Sequence, residues 1–244
     1  KVYKDYRAML DAQKLDVEGK MIWKTNGEVV CNVPGNQEKP QIVGGESPVI
    51  FWTDFRNGTG NSDIFTQKVS SLGKLVWNQH GMAICEAPGN QSNPRGVTDG
   101  DGGAIFVWQD QRSPSSSGIF ARRITSDGKA LWAPDGKTIC NSISNSEFPQ
   151  ISVSKDRVVT IVWNDKRYGG LDLFAQSINP VGTTLWKNSG IDVCLDFGSV
   201  TQQKPRITKT GKGEYIVVFE DYRNGYSITQ WSYIASKSIR IMAI

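Results

Sequence analysis

Short segments in which apolar and polar residues alternate recur along the whole chain. Residues 63–69 and 172–178 alternate with period two, which predicts half-buried β-strands. Residues 104–108 form a continuous run rich in β-branched and aromatic side chains, which also favours a strand. The glycine-rich segment 99–103 precedes that run and predicts a hairpin turn. Because no stretch shows helical periodicity, the pattern predicts an all-β protein.

The pattern repeats about every 54 residues. A tryptophan marks each unit, flanked by a glycine four residues before it and another four after it. A cysteine lies eight residues after the tryptophan, and a proline follows. The tryptophans are Trp23, Trp77, Trp132 and Trp186, and the cysteines are Cys31, Cys85, Cys140 and Cys194. An aromatic-x-Asp-x-Arg segment completes the unit, with Asp and Arg at Asp54 and Arg56, Asp110 and Arg112, Asp165 and Arg167, Asp221 and Arg223, and a fifth copy at Asp5 and Arg7.

Five copies of a four-stranded unit of this length are typical of propeller blades, because one such sheet cannot bury both of its faces alone. We predict a five-bladed β-propeller of four-stranded antiparallel blades, with the ring closed by the N- and C-terminal strands. Residues 1–244 would form a single domain, with blades at about 1–32, 33–87, 88–142, 143–196 and 197–244. The tryptophans are expected to fill the wedges between blades.

Charge and hydropathy exclude several classes of partner. The formal net charge is +4, and lysine and arginine are spread along the chain rather than gathered in a stripe, so we expect no nucleic-acid partner. No apolar run approaches the 18 or so residues of a membrane span, so we expect no membrane insertion. The chain shows no signal peptide and opens in mid-pattern, which suggests a mature or excised piece of a longer protein. We expect a monomer.

Candidate chemistry is sparse. One cysteine per repeat favours small buried apolar residues over bridges or a metal cluster, because equivalent places in a ring stand too far apart for a disulfide. His80 is the single histidine and has no partner at motif spacing, so neither a triad nor a zinc set is expected. Asp99 and Asp101 lie in a turn that could ligate calcium, but an ordinary hairpin is favoured since further acidic positions are missing. We expect no cofactor and no metal.

The repeated Asp-x-Arg pairs are the main polar feature. Residues two apart on a strand share one face, so each Asp and Arg can pair and brace neighbouring turns. The alternative is a polar pocket for a sugar or an acidic group at each blade junction. The candidate ligand-binding residues are therefore Asp54, Arg56, Asp110, Arg112, Asp165, Arg167, Asp221 and Arg223. The loop 113–118 differs from its counterparts as a recognition loop would, and we expect this face to carry binding.

The repeat resembles the propeller-like repeats of large secreted bacterial proteins, in particular surface proteins of the Bacteroidota. The resemblance rests on the Trp-x-Asp-x-Arg segment, on Gly-x-x-Leu-Trp and on Gly-x-x-Ile-Cys, and it covers the whole chain. It implies an extracellular or cell-surface location. The turn 126–128 before Trp132 also resembles the Asp-box of sialidase-type propellers, which is a structural turn and implies no sialidase chemistry.

Two functions compete. A glycoside hydrolase needs two carboxylates about 5 to 9 Å apart, and such acids should break the repeat because one site serves the ring. Glu46, Glu147, Asp192 and Glu214 do break it but have no paired context in the sequence. We therefore expect no enzyme but a non-catalytic binding or display module that contacts glycan or protein partners through loops on one face. The alternative is a glycoside hydrolase or lyase of a five-bladed propeller type.

Overall fold

The computed structural model describes residues 10–141, 143–194, 201–211, 213–222, 228–235 and 238–242. Every regular secondary-structure element within these ranges is a β-strand, which confirms the all-β prediction. The Asp5-x-Arg7 copy, Arg223 and the proposed N-terminal closing strand lie outside the described residues. No helix in these ranges has the length and hydropathy that a membrane span requires.

The strands form five antiparallel sheets in chain order. Sheet 1 contains β1 (Leu10–Ala12) and β2 (Glu28–Cys31). Sheet 2 contains β3 (Gln37–Val43), β4 (Val49–Asp54), β5 (Asp63–Lys68) and β6 (Met82–Cys85). Sheet 3 contains β7 (Gln91–Thr98), β8 (Ala104–Asp110), β9 (Gly118–Ile124), β10 (Ala130–Leu131) and β11 (Lys137–Cys140).

Sheets 4 and 5 follow the same plan. Sheet 4 contains β12 (Ser146–Val153), β13 (Val159–Asp165), β14 (Asp172–Ile178) and β15 (Ile191–Cys194). Sheet 5 contains β16 (Gln202–Lys209), β17 (Tyr215–Asp221), β18 (Ile228–Ala235) and β19 (Ser238–Met242). In each of sheets 2, 4 and 5 the strands pair in the order in which they occur along the chain, as expected for a meander. Within the described ranges β19 pairs with β18 and β1 with β2, so the first and last sheets are separate.

An apolar layer separates each pair of successive sheets. The second strands β4, β8 and β13 are buried along their whole length, because both of their faces are covered. Trp52 and Phe65 belong to the layer between sheets 1 and 2, and Phe51 and Phe106 meet edge to face between sheets 2 and 3 at 5.2 Å. The first strands β3, β7, β12 and β16 also contact one another in sequence. The sheets therefore stack face to face, with their first strands side by side.

The two tryptophan series have different places. Trp52, Trp108 and Trp163 are fully buried, and each stacks on a phenylalanine of the neighbouring strand at 6.3 Å. The other series consists of Trp23, Trp77, Trp132 and Trp186. In sheets 2, 3 and 4, the glycine four residues after the tryptophan of this series packs against the buried tryptophan of the second strand. A Cβ on Gly136 would lie 2.3 Å from Cη2 of Trp108, and the φ of that residue is +90°, so two independent constraints require glycine there.

Trp23 and Trp77, from the other series, form hydrogen bonds with a turn of the next sheet. Nε1 of Trp77 donates to the carbonyl of Ser126 at 3.3 Å, and the ring lies under Gly128 of the sheet 3 turn. Nε1 of Trp23 donates to Ser71 of sheet 2 in the same way at 3.2 Å. The glycine before each repeat's tryptophan thus accommodates the tryptophan of the preceding repeat.

Candidate functional site

The Asp-x-Arg pair closes the end of the second strand in sheets 2, 3 and 4. Asp54 is fully buried, and its two carboxylate oxygens accept hydrogen bonds from Nε1 of Trp52 at 2.7 Å and from the Arg56 side chain at 2.7 and 2.8 Å. The Arg56 guanidinium also lies over the Phe65 ring, 3.6 Å from its centroid. Trp108, Asp110 and Arg112 repeat this arrangement in sheet 3.

Sheet 4 holds its aspartate differently. Burial alone would raise the pKa of Asp165, but hydrogen bonds from Arg167 and from Oγ of Ser146 lower it to about 2. Ser146 stands where the other first strands carry a glutamine, and its hydroxyl takes the place that a tryptophan Nε1 has in sheets 2 and 3. The Asp165 carboxylate is therefore ionised, and its oxygens accept hydrogen bonds as those of Asp54 and Asp110 do.

Arg56, Arg112 and Arg167 each reach the cysteine of the preceding sheet. Nη2 of Arg56 contacts Sγ of Cys31 at 3.6 Å, and Nη2 of Arg167 contacts Sγ of Cys140 at 3.0 Å. All four cysteines are buried, as expected. Burial raises the pKa of the Cys85 thiol to about 12, so this thiol is protonated at neutral pH. The pairs thus brace successive sheets, while a direct ligand role for the eight candidate residues stays a prediction.

The remaining candidates of the sequence are also part of turns. Nδ1 of His80 accepts a hydrogen bond from the amide of Asn32, and its carbonyl accepts one from Arg56. Asp99 accepts from the amides of residues 101 and 103 and from the Arg123 side chain. Asp101 accepts from Arg123 and Arg157. In the part of the chain that the structure describes, no three His, Cys, Asp or Glu side chains gather as a metal site would require.

The loop after Arg112 lines a polar groove of about 350 Å³ on the face that carries the Asp-x-Arg pairs. The lining residues are Gly89, Asn90, Gln111, Ser113, Pro114, Ser115, Ser116 and Asn145. Backbone amides of Ser62 and Ser117 donate to the Oδ1 atoms of Asn90 and Asn145, at 3.1 and 3.0 Å. Because a backbone amide can only donate, both side-chain orientations are fixed, and within the described residues neither Nδ2 group forms a hydrogen bond.

A repeated distortion marks the first strands. The pairing of β3, β7, β12 and β16 with the next strand shifts register just before the proline. The residue before that proline has a left-handed backbone in all four strands, at Lys39, Asn93, Phe148 and Lys204, with φ of 52°, 52°, 54° and 54°. Bulges with left-handed non-glycine residues are costly, and they cluster at functional sites where a side chain must be re-aimed.

Three carboxylates lie in one row beside this bulge. The residue before each left-handed position pairs with the penultimate residue of the second strand, which gives the pairs Glu38 with Thr53, Ser92 with Gln109, Glu147 with Asn164 and Gln203 with Glu220. Glu38, Glu147 and Glu220 are the acids of this row, which we call the bulge row. They differ from sheet to sheet, unlike the aspartates of the Asp-x-Arg pairs.

Glu220 has the most elaborate surroundings of the three. Its Oε1 accepts from Nζ of Lys204 at 3.0 Å, and its Oε2 accepts from the Tyr222 hydroxyl at 3.0 Å and from Nε2 of Gln203 at 3.4 Å. Lys204 foremost, together with Tyr222, lowers the pKa of Glu220. Glu147 has a looser partner, with Nζ of Lys166 at 3.8 Å from Oε1. Glu220 is therefore held as a carboxylate whose lone pairs are oriented.

Sequence reasoning found only one acid of this row. The sequence pattern marks Glu147 as an unrepeated acid but neither Glu38 nor Glu220, because the positions of those two residues are not landmarks of the repeat. Aligning the residue two before each proline would have shown Glu38, Ser92, Glu147 and Gln203 as one variable position. The other unrepeated acids lie elsewhere: Glu46 and Glu214 in or beside the turns after the first strands, and Asp192 on β15.

The fold has counterparts among solved structures of carbohydrate-active enzymes. The Hadza microbial sialidase Hz136 matches with a TM-score of 0.56 at 9% identity, over 96% of this chain and 54% of the sialidase. A polysaccharide lyase, PL25 ulvan lyase bound to -[GlcA(1-4)Rha3S]-, matches with a TM-score of 0.56 at 10% identity, over 85% and 55%. The Penicillium chrysogenum α-L-arabinanase complexed with arabinobiose matches with a TM-score of 0.52 at 11% identity, over 97% and 71%. No family model and no curated protein matches the chain.

These similarities concern the fold, since the identities are low. The architecture is propeller-like, and the chain spans about half the length of the sialidase and of the lyase. The expectation of a non-catalytic module, and with it the expectation that the chain is no enzyme, is contradicted, because the propeller-like structures that it matches are glycan hydrolases and a lyase. That expectation rested on the acids that recur in every repeat, whereas cross-strand pairing places Glu38, Glu147 and Glu220 in the bulge row of three sheets.

Proposed function

We propose that this protein acts on polysaccharides, as a glycoside hydrolase or a polysaccharide lyase. The observation that carries the proposal is the bulge row, in which non-repeated carboxylates line the start of the first strands of a propeller-like fold. A single active site in a repeat protein has to break the repeat, and these positions do so while the bracing residues keep it. The similarity to three carbohydrate-active enzymes supports the same class of reaction, although fold alone never decides function.

The roles of the acids follow from their surroundings. Glu220 is kept ionised by Lys204 and Tyr222, which suits a general base or a nucleophile. A second carboxyl group, from Glu147 or Glu38, would protonate the leaving oxygen of the glycosidic bond. A separation of about 5 Å between the two carboxyl groups would favour retention of configuration, and about 6.5 to 9.5 Å would favour inversion.

We also propose that the five sheets are blades of one closed ring, within a single domain over residues 1–244. The stacking of successive sheets and the contacts between neighbouring first strands support a radial arrangement. Such a ring would gather the bulge row around one opening. The resemblance to secreted bacterial repeat proteins supports an extracellular or cell-surface location, with a glycan as the partner.

A polysaccharide panel tests the proposed activity. The wild-type protein should release reducing ends if it is a hydrolase, or unsaturated uronate products if it is a lyase. Glu220→Gln removes the ionised group with little change of shape and should lower kcat/KM by about 10²- to 10⁴-fold. Glu147→Gln and Glu38→Gln would then show which acid is the proton donor, since only the donor's loss should be relieved by a substrate with a good leaving group.

Glu46→Gln is the matched control, because Glu46 is a non-repeated acid in the turn between β3 and β4, away from the bulge row. Its kcat/KM should equal that of the wild type. The proposal is wrong if Glu38→Gln, Glu147→Gln and Glu220→Gln all keep wild-type rates. It is equally wrong if the folded wild-type protein leaves every polysaccharide of a broad panel intact.

A further inference from the structure

Two arginines follow the bulge on the first strands. The residue directly after the proline is Gln41 on β3, Arg95 on β7, Gln150 on β12 and Arg206 on β16. We call these four positions the proline row. Two of its members are amides, two are guanidinium groups and none is a carboxylate. Since the first strands contact one another in sequence, the row runs across neighbouring strands next to the bulge row.

Neither arginine of this row has a counter-charge among the residues that the structure describes. Nη1 of Arg95 donates to the carbonyl of Pro94 at 2.8 Å, and Nη1 of Arg206 donates to the carbonyl of Pro205 at 2.8 Å. No aspartate or glutamate of the described residues forms an ion pair with either one. By contrast, five other described arginines form ion pairs with aspartates, namely Arg56, Arg112 and Arg167 of the Asp-x-Arg pairs and Arg123 and Arg157 beside the 99–103 hairpin.

The two charges act on each other. Burial lowers the pKa of Arg95, and the charge of Arg206 lowers it further. A guanidinium nevertheless stays protonated in proteins, so both positive charges persist. Arg95 is half-buried and Arg206 is exposed, so their repulsion raises the energy of the folded state chiefly through the partly desolvated Arg95. An anion bound beside the two guanidinium groups would relieve this repulsion.

The free donors of each arginine suit an oxyanion. The proline carbonyl occupies Nη1 and leaves Nε and Nη2 on the other edge of the guanidinium. That edge is the one that binds a carboxylate or a sulfate with two parallel hydrogen bonds. The neighbouring amide of Gln150, on the strand between the two arginines, offers further donors and acceptors for sugar hydroxyls.

We propose that Arg95 and Arg206 bind the anionic group of an acidic glycan, either the carboxylate of a uronic acid or a sulfate ester. This inference rests on the proposed action on polysaccharides and specifies the substrate class. The bulge row lies three residues before the proline row along each first strand, so one oligosaccharide spans both rows.

Calorimetric titration of the folded protein tests the site. The probes are a uronate oligosaccharide, a sulfated neutral oligosaccharide and an uncharged oligosaccharide of the same length, each added to the Glu220→Gln protein so that turnover is suppressed. Arg95→Gln and Arg206→Gln, each introduced into that protein, should weaken binding of an anionic probe about tenfold or more and leave the uncharged probe unchanged. Comparing the uronate with the sulfated probe identifies which anion the site takes.

Arg157→Gln is the control for net charge, because Arg157 is half-exposed and pairs with Asp101 in the 99–103 hairpin. It should leave all affinities unchanged. Arg95→Met should keep or raise Tm, because it removes a charge that has no partner, whereas a purely structural arginine would lower Tm on substitution. Affinity for the anionic probes should also fall as salt is raised.

The inference is overturned if Arg95→Gln and Arg206→Gln bind the anionic probes as tightly as their parent does. It is also overturned if charged and uncharged probes bind equally. Turnover of neutral polysaccharides with no effect of either arginine would remove this inference and leave the proposed function standing. Anion binding that depends on both arginines, without turnover of any polysaccharide, would support this inference and contradict the proposed function.

Discussion

Nη2 of Arg112 lies 3.4 Å from Sγ of Cys85, and this contact joins sheet 3 to the last strand of sheet 2. The same guanidinium donates to Asp110 of its own sheet at 2.7 Å and to the carbonyl of Asp135 at 2.7 Å. Its flat face lies 3.9 Å from the centroid of the Phe120 ring. One side chain therefore ties together a second strand, a turn and the neighbouring sheet.

Replacing this arginine should destabilise the fold. Arg112→Ala would leave Asp110 buried without its counter-charge, which costs roughly 3 kcal/mol or more in comparable buried pairs. Urea unfolding followed by tryptophan fluorescence measures the change. Arg157→Ala removes an arginine from a half-exposed ion pair and should cost less than about 1 kcal/mol. Equal losses for both variants would show that the Arg112 contacts are not a brace.

The same variant also tests the predicted ligand role of the Asp-x-Arg pairs. If Arg112 only braces, glycan affinity of the folded Arg112→Ala protein should equal that of the wild type at a temperature well below its Tm. A loss of affinity with little change in stability would instead assign Arg112 to a pocket beside the 113–116 groove.

Alanine substitutions at Gly136 and Gly169 should distinguish the cost of a left-handed backbone from the cost of a steric clash in the core. Gly136 and Gly169 both have a left-handed backbone, with φ of +90° and +96°, but only Gly136 faces a side chain, that of Trp108. Gly169→Ala should cost about 1 to 2 kcal/mol from the left-handed conformation alone. Gly136→Ala adds a clash in a filled core, for a total of about 3 to 5 kcal/mol. Thermal unfolding of the two variants measures this difference, and similar Tm values would refute the packing argument.

Asp63 should make stability depend on pH. It is fully buried and lies opposite Asp54 across the β4–β5 pair, and burial raises its pKa to about 6. An acid whose pKa is raised by folding contributes stability below its unfolded pKa of 3.8, and this contribution is lost as pH rises through about 6. A shift of about two units corresponds to at most about 3 kcal/mol.

Asp63→Asn should therefore remove the decline in unfolding free energy between about pH 4 and 6.5 and raise stability above that range. Asp165 does not interfere in this window, because its lowered pKa contributes stability above about pH 4 that is lost only as pH falls towards 2. The exposed Asp156→Asn gives the same charge change as a control. An unchanged slope in Asp63→Asn would contradict the assignment.

The Cys85 thiol should be inert in the native protein. With a pKa of about 12 and no exposed surface, it has almost no thiolate at pH 8. A thiol-specific reagent should label Cys85 only as fast as the protein unfolds, and within seconds in denaturant. Ser115→Cys, at an exposed loop position, serves as the reactive control. Rapid native labelling of Cys85 would mean that the sheet boundary opens readily.

The sequence allowed the sheets to be predicted because packing imposes the same demands on every repeat. Trp108 requires a glycine at Gly136, and Trp77 requires one at Gly128. Because each repeat makes the same contacts, glycine and tryptophan recur at fixed spacings along the sequence. The bulge row could not be predicted in this way. Glu38, Glu147 and Glu220 carry no packing load, the residue types at their positions vary, and their common place becomes visible only when each first strand is paired with the second strand of its sheet.

The brace between Arg112 and Cys85 makes each repeat incomplete by itself. A repeat excised alone would keep a buried aspartate and its arginine, but would lack the sulfur that the arginine meets and the turn glycine that covers its tryptophan. Its folding free energy therefore resides largely at the boundary with its neighbour, as in a one-dimensional chain of coupled units. Unfolding should spread from one sheet to the next, and a single repeat should remain unstructured under conditions in which tandem repeats fold.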